Sequence, residues 1–177
     1  MNFTEAASLV DGATTASFFL KEKANIQKGQ KVLINGASGS IGSSAVQLSK
    51  YFGAEVTGVC SIKNIEMVKG FGADYVINYT NADFTKTGKL YDIIFDTVSK
   101  SSFSQSKSSL NYGGKYIVTD MSFKRVVISS LTKLCKKRKL IFGMSVNKTE
   151  SLNYIKSLIE KGHLKPVIDR HYKLNEI

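Results

Sequence analysis

The chain has 177 residues, of which 42% are hydrophobic, and this composition is typical of a globular protein. A chain of this length forms one domain with a well-buried core more readily than two domains. No apolar stretch reaches the roughly 18 residues needed to cross a bilayer, and no signal peptide is visible, so we expect a cytoplasmic protein without membrane contact. The two cysteines, Cys60 and Cys135, do not indicate a disulfide framework.

The formal net charge of +11 is concentrated in residues 124–139, which hold seven lysine or arginine residues and no acidic residue. Some nucleic-acid-binding surfaces have this charge. They usually also carry aromatic residues that stack on bases, and only Phe123 is near this segment. We therefore interpret the segment as a solvated helix and loop with no nucleic-acid partner, which also helps to attract an anionic cofactor.

The predicted elements begin with residues Thr4–Ala24, which are helical with a break near Gly12. From Lys31 onward, apolar runs alternate with amphipathic stretches, a pattern typical of βαβ units and a parallel sheet. The predicted strands are Lys31–Asn35, Glu55–Cys60, Tyr75–Ile77, Tyr91–Asp96, Gly114–Thr119 (after a Gly113-Gly114 turn) and Leu140–Met144. The predicted helices are Ser40–Phe52, Ile62–Phe71 and Thr149–Lys161, and an extended piece follows at Val167–Tyr172.

These elements predict an α/β fold of the Rossmann type, with a doubly wound, mostly parallel sheet of about six strands and helices on both faces. Residues 1–30 form a helical lead-in, and residues 31–177 form the nucleotide-binding domain. No internal repeat is visible.

A glycine-rich turn, Gly36-Ala37-Ser38-Gly39-Ser40-Ile41-Gly42, joins the first strand to its helix. This place in a βαβ unit is where the Rossmann fingerprint binds a dinucleotide. We expect Gly39 to let the backbone approach a pyrophosphate and Gly42 to let the helix pack closely on the strand. Ala37 replaces the usual first glycine, so the backbone there must suit an ordinary residue.

The helix that follows the turn supplies the second part of the predicted phosphate site. The N–H groups of Ser40 and Ile41 point from its N-terminus toward the phosphates, beside Ser38, and the helix dipole favours negative charge there. Two alternatives remain open: a glycine-rich turn without a ligand, and another ligand of the same fold, such as a methyl-donor nucleoside.

The end of the second strand indicates which dinucleotide is preferred. An NAD-specific fold carries Asp or Glu there, bound to the ribose 2′-OH, but residues 58–64 contain no acid. Lys63 lies instead in the first turn of the next helix, where the dipole disfavours a cation unless a phosphate is bound beside it. We predict that NADP(H) is preferred over NAD(H), with Lys63 and Ser61 on the 2′-phosphate. A helix-capping role for Ser61 and a merely solvated Lys63 remain alternatives.

No catalytic group emerges from the sequence. The short-chain reductases carry a catalytic Tyr-x-x-x-Lys, and none of the eight tyrosines is followed by a lysine at that spacing. His163 and His171 lie far from the glycine-rich turn, and no His, Cys and carboxylate cluster has metal-binding spacing. We therefore predict no metal in this chain.

Four segments together carry a resemblance to a known family: Gly36–Lys50, Gly72–Tyr79, Asp92–Asp96 and Gly113-Gly114-Lys115. They closely resemble the medium-chain dehydrogenase/reductases, and most of all the zinc-independent quinone oxidoreductase-like branch. The resemblance runs from about Phe3 to the last residue. It implies NAD(P)H-dependent hydride transfer to or from a quinone, an enone or a related carbonyl compound.

The resemblance also implies roles for further residues. Tyr79 matches the tyrosine near the adenosine 2′-phosphate, although packing after the third strand is an alternative role. Val98 and Thr119 match the positions nearest the nicotinamide ribose and ring, and Ser99 stands where the family often has glycine. In some relatives the phosphate-binding lysine comes later than Lys63, which makes Asn64 a further candidate.

In this family a separate catalytic domain flanks the cofactor domain. We therefore expect the 177 residues to be a fragment that binds the cofactor without turning over a substrate alone. Leu140-Ile141-Phe142 is a strand at a predicted sheet edge, where relatives dimerise, so we expect a homodimer flanked by the basic segment. The rival functions are the cofactor domain of a zinc-dependent alcohol dehydrogenase and a non-catalytic nucleotide-binding module.

Overall fold

A computed structural model of the chain describes residues 2–119, 137–143 and 148–173. Its strands are β1 (Lys31–Asn35), β2 (Glu55–Cys60), β3 (Tyr75–Asn78), β4 (Tyr91–Asp96), β5 (Leu110–Val118) and β6 (Lys139–Ile141). All five strand pairings are parallel, and the strand order is β3-β2-β1-β4-β5-β6. The order reverses beside β1, and ligands of doubly wound sheets bind at this point, outside the carboxyl ends of the strands.

The helices of the described residues are mostly short. They are α1 (Phe3–Leu9), α2 (Gly12–Ser17), α3 (Ser40–Tyr51), α4 (Ile65–Gly70), α5 (Phe103–Ser106) and α6 (Lys148–Glu160). A π-helix at Phe18–Lys23 continues α2, and single 3₁₀ turns occur at Ile62–Asn64, Phe84–Lys86 and Lys107–Ser109. Within these ranges no helix is long and apolar enough to cross a membrane.

Successive side chains of a strand point to opposite faces of the sheet, so the hydrophobic core has one part on each face. In β1, Val32 and Ile34 join the cluster that packs against α2, α3 and α6, whereas Leu33 joins the cluster on the opposite face. Close packing of α2 on the first turn of α3 depends on Gly12, because a β-carbon there would overlap Ser40. The lead-in helices therefore support the start of α3, the predicted phosphate-binding element.

The structure confirms the predicted fold and several predicted bounds. β1, β2 and β4 have the predicted bounds, α3 ends one residue early at Tyr51, and the first helical region is interrupted between Leu9 and Gly12. The predicted helix Ile62–Phe71 divides into a 3₁₀ turn and α4, and it ends at Gly70. Gly72 follows with φ +101°, a backbone conformation that suits glycine.

The prediction for the fifth strand was wrong at its start. β5 begins at Leu110, and Gly113-Gly114 lies within it rather than before it. The pairing with β4 moves from Tyr91–Leu110 directly to Ile93–Lys115, so extra residues of β5 are accommodated in an irregularity at Gly113, whose φ is +77°. The sequence signal for a turn came from this bulge.

The last two predicted elements also differ. β6 begins at Lys139 and ends at Ile141, so Phe142 and Gly143 are not part of it, and Met144 lies outside the described residues. Residues 167–172 form neither a strand nor a helix. Most of the basic segment, residues 120–136, and Cys135 with it, lies outside the described residues.

Candidate functional site

A cleft of about 790 Å³ lies at the carboxyl edge of the sheet. Its lining includes residues that end or follow four neighbouring strands: Asn35 ends β1 and Gly36 follows it, Cys60 ends β2 and Ser61 follows it, Tyr79 follows β3, and Val98 follows β4. Six of the predicted cofactor residues line it, namely Ser38, Gly39, Ser61, Lys63, Tyr79 and Val98.

The glycine-rich turn has the tight geometry that the sequence predicted. Gly36 has φ +85°, and a β-carbon there would lie 2.6 Å from Cγ1 of Val98. A β-carbon on Gly42 would overlap the carbonyl oxygen of Gly36, because α3 starts directly against the turn. Ala37 is fully buried and is not among the residues with positive φ, so its position accepts an ordinary side chain.

Gly39 faces open space in the cleft. A β-carbon on Gly39 would have a single neighbouring atom within 4 Å, the Gly36 carbonyl oxygen at 3.5 Å. Gly39 is also the N-cap of α3, and its carbonyl accepts the first helical bond, from the Ser43 N–H at 2.8 Å. The N–H groups of Ser40, Ile41 and Gly42 precede that bond, so they lack acceptors within the helix and are available for an anion.

Ser40, Ile41 and Gly42 are not part of the cleft lining themselves. Ser40 is exposed, Ile41 is half-buried and Gly42 is buried against the turn. What these residues offer is therefore the backbone at the start of α3, as the sequence analysis expected, rather than their side chains.

Ser61, Lys63 and Asn64 form the wall of the cleft beyond β2. Ser61 is the N-cap residue of the 3₁₀ turn, as the capping alternative expected, but its side chain makes no capping hydrogen bond. Lys63 is exposed in the middle of this turn. The Asn64 side-chain amide donates to Oγ of Ser38 at 2.9 Å, which joins this wall to the glycine-rich turn.

Tyr79 lies at the rim of the cleft with its side chain 62% exposed. Its N–H donates to the Cys60 carbonyl at 3.1 Å, which holds the backbone beside the end of β2. Because the side chain is mostly exposed, the alternative in which Tyr79 simply packs after the third strand is not supported.

Asp96 is fully buried below the other end of the cleft and organises the loop after β4. One of its oxygens accepts from the Asn35 amide at 3.0 Å and from the Val98 N–H at 3.3 Å. The other accepts from the Tyr116 hydroxyl at 2.9 Å and from the Ser101 N–H at 3.0 Å. Four hydrogen bonds converge on this one buried carboxyl group, so this loop has a well-defined position.

The predicted nicotinamide-side residues occupy different positions relative to the cleft. Val98 lines it, whereas Thr119, half-buried directly after β5, does not. Ser99 has φ +53°, the left-handed conformation that favours glycine. This explains why glycine is common at the position in the family and shows that a small polar residue also accepts it.

Several lining residues were missed by the sequence analysis: Asn35, Cys60, Lys100, Ser101, Gln105 and residues 82–85. Asp83 caps the 3₁₀ turn, and hydrogen bonds from the Thr85 side chain and N–H hold the pKa of the Asp83 carboxyl below its usual value of 3.8. The Asp-x-Thr spacing is a turn signal that indicates this contact. It does not indicate that the turn faces the cleft.

The described part of the chain contains no group of three or more His, Cys, Asp or Glu residues that could hold a metal ion. Cys60 lines the cleft, but burial raises the pKa of its thiol, which disfavours the reactive thiolate. The His163 ring lies 5.0 Å from the Tyr51 ring, a packing role at the surface. Among the described residues, the cleft lining therefore contains the glycine-rich turn, two lysines and the Asp83 carboxyl, but no histidine.

Comparison with known proteins agrees with this geometry. Residues 71–177 match the family model described as zinc-binding dehydrogenase. The chain belongs to this family. The predicted resemblance to the medium-chain dehydrogenase/reductases and their quinone oxidoreductase-like branch is confirmed by the individual relatives.

A chloroplastic quinone-oxidoreductase of Triphysaria versicolor is 36% identical over 83% of this chain and 46% of its own length. A 2-methylene-furan-3-one reductase of Solanum lycopersicum is 31% identical over 96% of this chain and 40% of its own. The solved quinone oxidoreductase of Coxiella burnetii superposes with a TM-score of 0.86 and 28% identity, covering 99% of this chain and 55% of that one. The chain thus spans about half the length of the relatives it matches.

The family description includes zinc, but the described residues do not fit a zinc site. A structural or catalytic zinc ion needs three or four nitrogen, sulfur or carboxylate ligands at one point, and no such group occurs in residues 2–119, 137–143 and 148–173. The open cradle at Gly39 and the free N–H groups of α3 do fit a dinucleotide pyrophosphate.

Proposed function

We propose that the chain is the NADP(H)-binding part of an oxidoreductase that transfers hydride to a quinone, an enone or a related carbonyl compound. The observation that carries the proposal is the placement of Ser61 and Lys63 in the wall of the cleft that also contains the glycine-rich turn. Residues 58–64, at the end of β2 and directly after it, contain no acidic residue, and a carboxylate there would repel a 2′-phosphate.

Different described residues hold different parts of the dinucleotide. Ser38, Gly39 and the start of α3 bind the pyrophosphate, while Ser61, Lys63 and Tyr79 hold the adenosine end with its 2′-phosphate. We assign Val98, in the loop fixed by Asp96, and Thr119, directly after β5, to the nicotinamide end. The nicotinamide supplies the hydride chemistry, and the protein supplies position and exclusion of water.

The names of the relatives support the acceptor class. Quinone oxidoreductases recur among them, and 2-methylene-furan-3-one, the compound in the name of the Solanum lycopersicum relative, is itself an enone. The alcohol dehydrogenase alternative has less support from these names, because the relatives reported above are quinone oxidoreductases and an enone reductase.

Binding of the cofactor is tested by titrating the 177-residue chain with NADPH, NADH and S-adenosylmethionine, with quenching of protein tyrosine fluorescence or calorimetry as the readout. The control is Gly39→Asp, which places a carboxylate where the pyrophosphate lies and leaves the fold intact, because the position opens into the cleft. We expect NADPH to bind best and the variant to lose binding. Preferential binding of S-adenosylmethionine, or equal binding by Gly39→Asp, would contradict the proposal.

The hydride acceptor is tested by following NADPH absorbance with a panel of quinones, enones and aldehydes. The assay uses the 177-residue chain joined to any further part that the protein contains. Oxidation by quinones or enones supports the proposed class. Zinc-dependent turnover of aldehydes alone would contradict it.

We also propose that the protein forms a homodimer through β6. β6 is the last strand of the sheet that the described residues form, and the end strand of a sheet is a place where another chain can add. Light scattering at high micromolar protein concentration should report a dimer. A monomer at that concentration would contradict this assembly.

A further inference from the structure

A second cavity, of about 260 Å³, lies at the opposite edge of the sheet, where β1 to β4 begin. Lys31, Glu55, Tyr75 and Tyr91 are the first residues of these four strands. The strand order β3-β2-β1-β4 places them in one row, in which Lys31 is paired with Glu55 and Tyr75 is paired with Thr57. All five residues line the cavity.

The crossover from β3 to β4 lies beside the cavity. Residues 79–90 are all described and contain one 3₁₀ turn, Phe84–Lys86, so no helix of their own covers this end of the sheet. Parallel crossovers usually carry such a helix. The end of the crossover forms one wall instead, since Lys89 and Leu90 line the cavity and the Lys89 ammonium lies 4.8 Å from the centroid of the Tyr75 ring.

Tyr91 contributes an unsatisfied polar group to the cavity. Its side chain is almost fully buried, and its hydroxyl has no hydrogen-bond partner among the residues that the structure describes. Burial raises the pKa of this hydroxyl most; the Thr57 side chain lowers it and the Glu55 carboxylate raises it, and the pKa lies above its usual value. The Tyr91 hydroxyl is therefore a neutral donor, and leaving it unpaired costs free energy that a bound group would offset.

The charges around the cavity have both signs. Lys31 and Lys89 supply two ammonium groups, and Glu55 supplies one carboxylate. Leu90 and the Tyr75 ring, each nearly half exposed, add apolar surface beside them. A ligand with only one charge would leave either the lysines or Glu55 without a partner.

We propose that this cavity binds a small zwitterion of the α-amino acid class. The ligand carboxylate meets the two lysines and accepts from the Tyr91 hydroxyl. Its ammonium meets Glu55, and an apolar side chain packs against Leu90. The site lies at the far edge of the sheet from the nucleotide cleft and does not depend on the proposed oxidoreductase function.

The ligand class is tested with L-leucine and its two truncated analogues, 4-methylpentanoate (no ammonium) and 3-methylbutylamine (no carboxylate). Backbone amide resonances of the ¹⁵N-labelled chain are followed at millimolar ligand concentration. We expect saturable shifts at Tyr75, Lys89 and Tyr91 with L-leucine, and at least threefold weaker binding of both analogues. No saturable shift with L-leucine, or equal binding of 4-methylpentanoate, would overturn the proposal.

The contacts are tested with Tyr91→Phe, which removes only the unpaired hydroxyl and so retains the fold. L-leucine should bind it roughly threefold to tenfold more weakly, as expected for one lost hydrogen bond. Glu55→Gln should abolish the advantage of L-leucine over 4-methylpentanoate. The matched control is Tyr112→Phe, an exposed tyrosine that is not part of the cavity. Unchanged affinity in Tyr91→Phe would overturn the assignment.

Discussion

The side-chain amide of Asn64 donates to the hydroxyl of Ser38 at 2.9 Å, across 26 residues of sequence. Ser38 belongs to the glycine-rich turn after β1, and Asn64 to the turn after β2 that contains Lys63. The hydrogen bond therefore fixes the distance between these two turns. We assign the first to the pyrophosphate and the second to the 2′-phosphate of one ligand.

We predict that Asn64→Ala weakens NADPH binding about threefold to tenfold, the value of one lost hydrogen bond, and weakens NADH binding less. NADPH contacts both turns, so it depends more strongly on their relative position. The matched control is Asn153→Ala, an exposed asparagine on α6. Equal losses for the two nucleotides would show that Asn64 does not position Lys63.

Gly42 and Gly39 lie in the same turn, but we expect Gly42 to be required for folding and Gly39 for ligand binding. A β-carbon on Gly42 would overlap the Gly36 backbone, so Gly42→Ala should lower the free energy of unfolding by at least about 2 kcal/mol. Gly39→Ala should lower it by less than about 1 kcal/mol, because its position is open.

In NADPH binding, by contrast, Gly39→Ala should be the variant with the specific defect. Gly39→Ala places a methyl group on the predicted pyrophosphate path and should weaken NADPH binding in a protein that unfolds almost normally. Urea titrations of the ligand-free variants and NADPH titrations of the folded ones give both quantities. Greater destabilisation by Gly39→Ala than by Gly42→Ala would contradict the geometry of the turn.

The Lys50–Asp74 ion pair, at 2.8 Å, predicts part of the acid sensitivity of the fold. Partial burial raises the pKa of the Asp74 carboxyl, but hydrogen bonds from Lys50 and the Val56 N–H outweigh this, and the pKa lies below 3.8. Because the pKa is lower in the folded than in the unfolded state, the ionised carboxylate stabilises the fold above the unfolded value. This contribution is lost as the pH falls through the folded pKa.

We therefore expect the melting temperature of the wild type to fall more steeply below pH 4 than that of Asp74→Asn. Glu66→Gln is the control, because Glu66 forms a mostly solvated surface pair with Lys69 and should leave the slope unchanged. Parallel profiles of the wild type and Asp74→Asn would show that Asp74 contributes nothing to the loss of stability at low pH.

The features that the sequence predicted correctly are local ones. β1, β2 and β4 are continuous apolar runs with clear ends, and the glycine-rich turn has a fixed spacing. The start of β5 was wrong because Gly113 produces a bulge inside a strand, and a turn has the same glycine signal as a bulge.

The features that sequence reasoning missed depend on pairings between distant residues. Asp96 organises the cleft only because the β4–β5 pairing brings the Tyr116 hydroxyl to it, and Asn35 reaches it from β1. Residues 82–85 enter the cleft lining because Phe84 packs in the buried cluster that contains Val59 and Leu33. The left-handed conformation of Ser99 was not predicted, since serine itself shows no preference for positive φ.

The central claim is that Lys63 selects NADP(H), and it is tested most directly by measuring four dissociation constants, for NADPH and NADH with the wild type and with Lys63→Ala. We expect the variant to bind NADPH about 10-fold to over 100-fold more weakly, equivalent to roughly 1.5–3 kcal/mol, and to bind NADH almost unchanged. An unchanged dissociation constant for NADPH in the variant, or tighter binding of NADH than of NADPH by the wild type, would contradict the account.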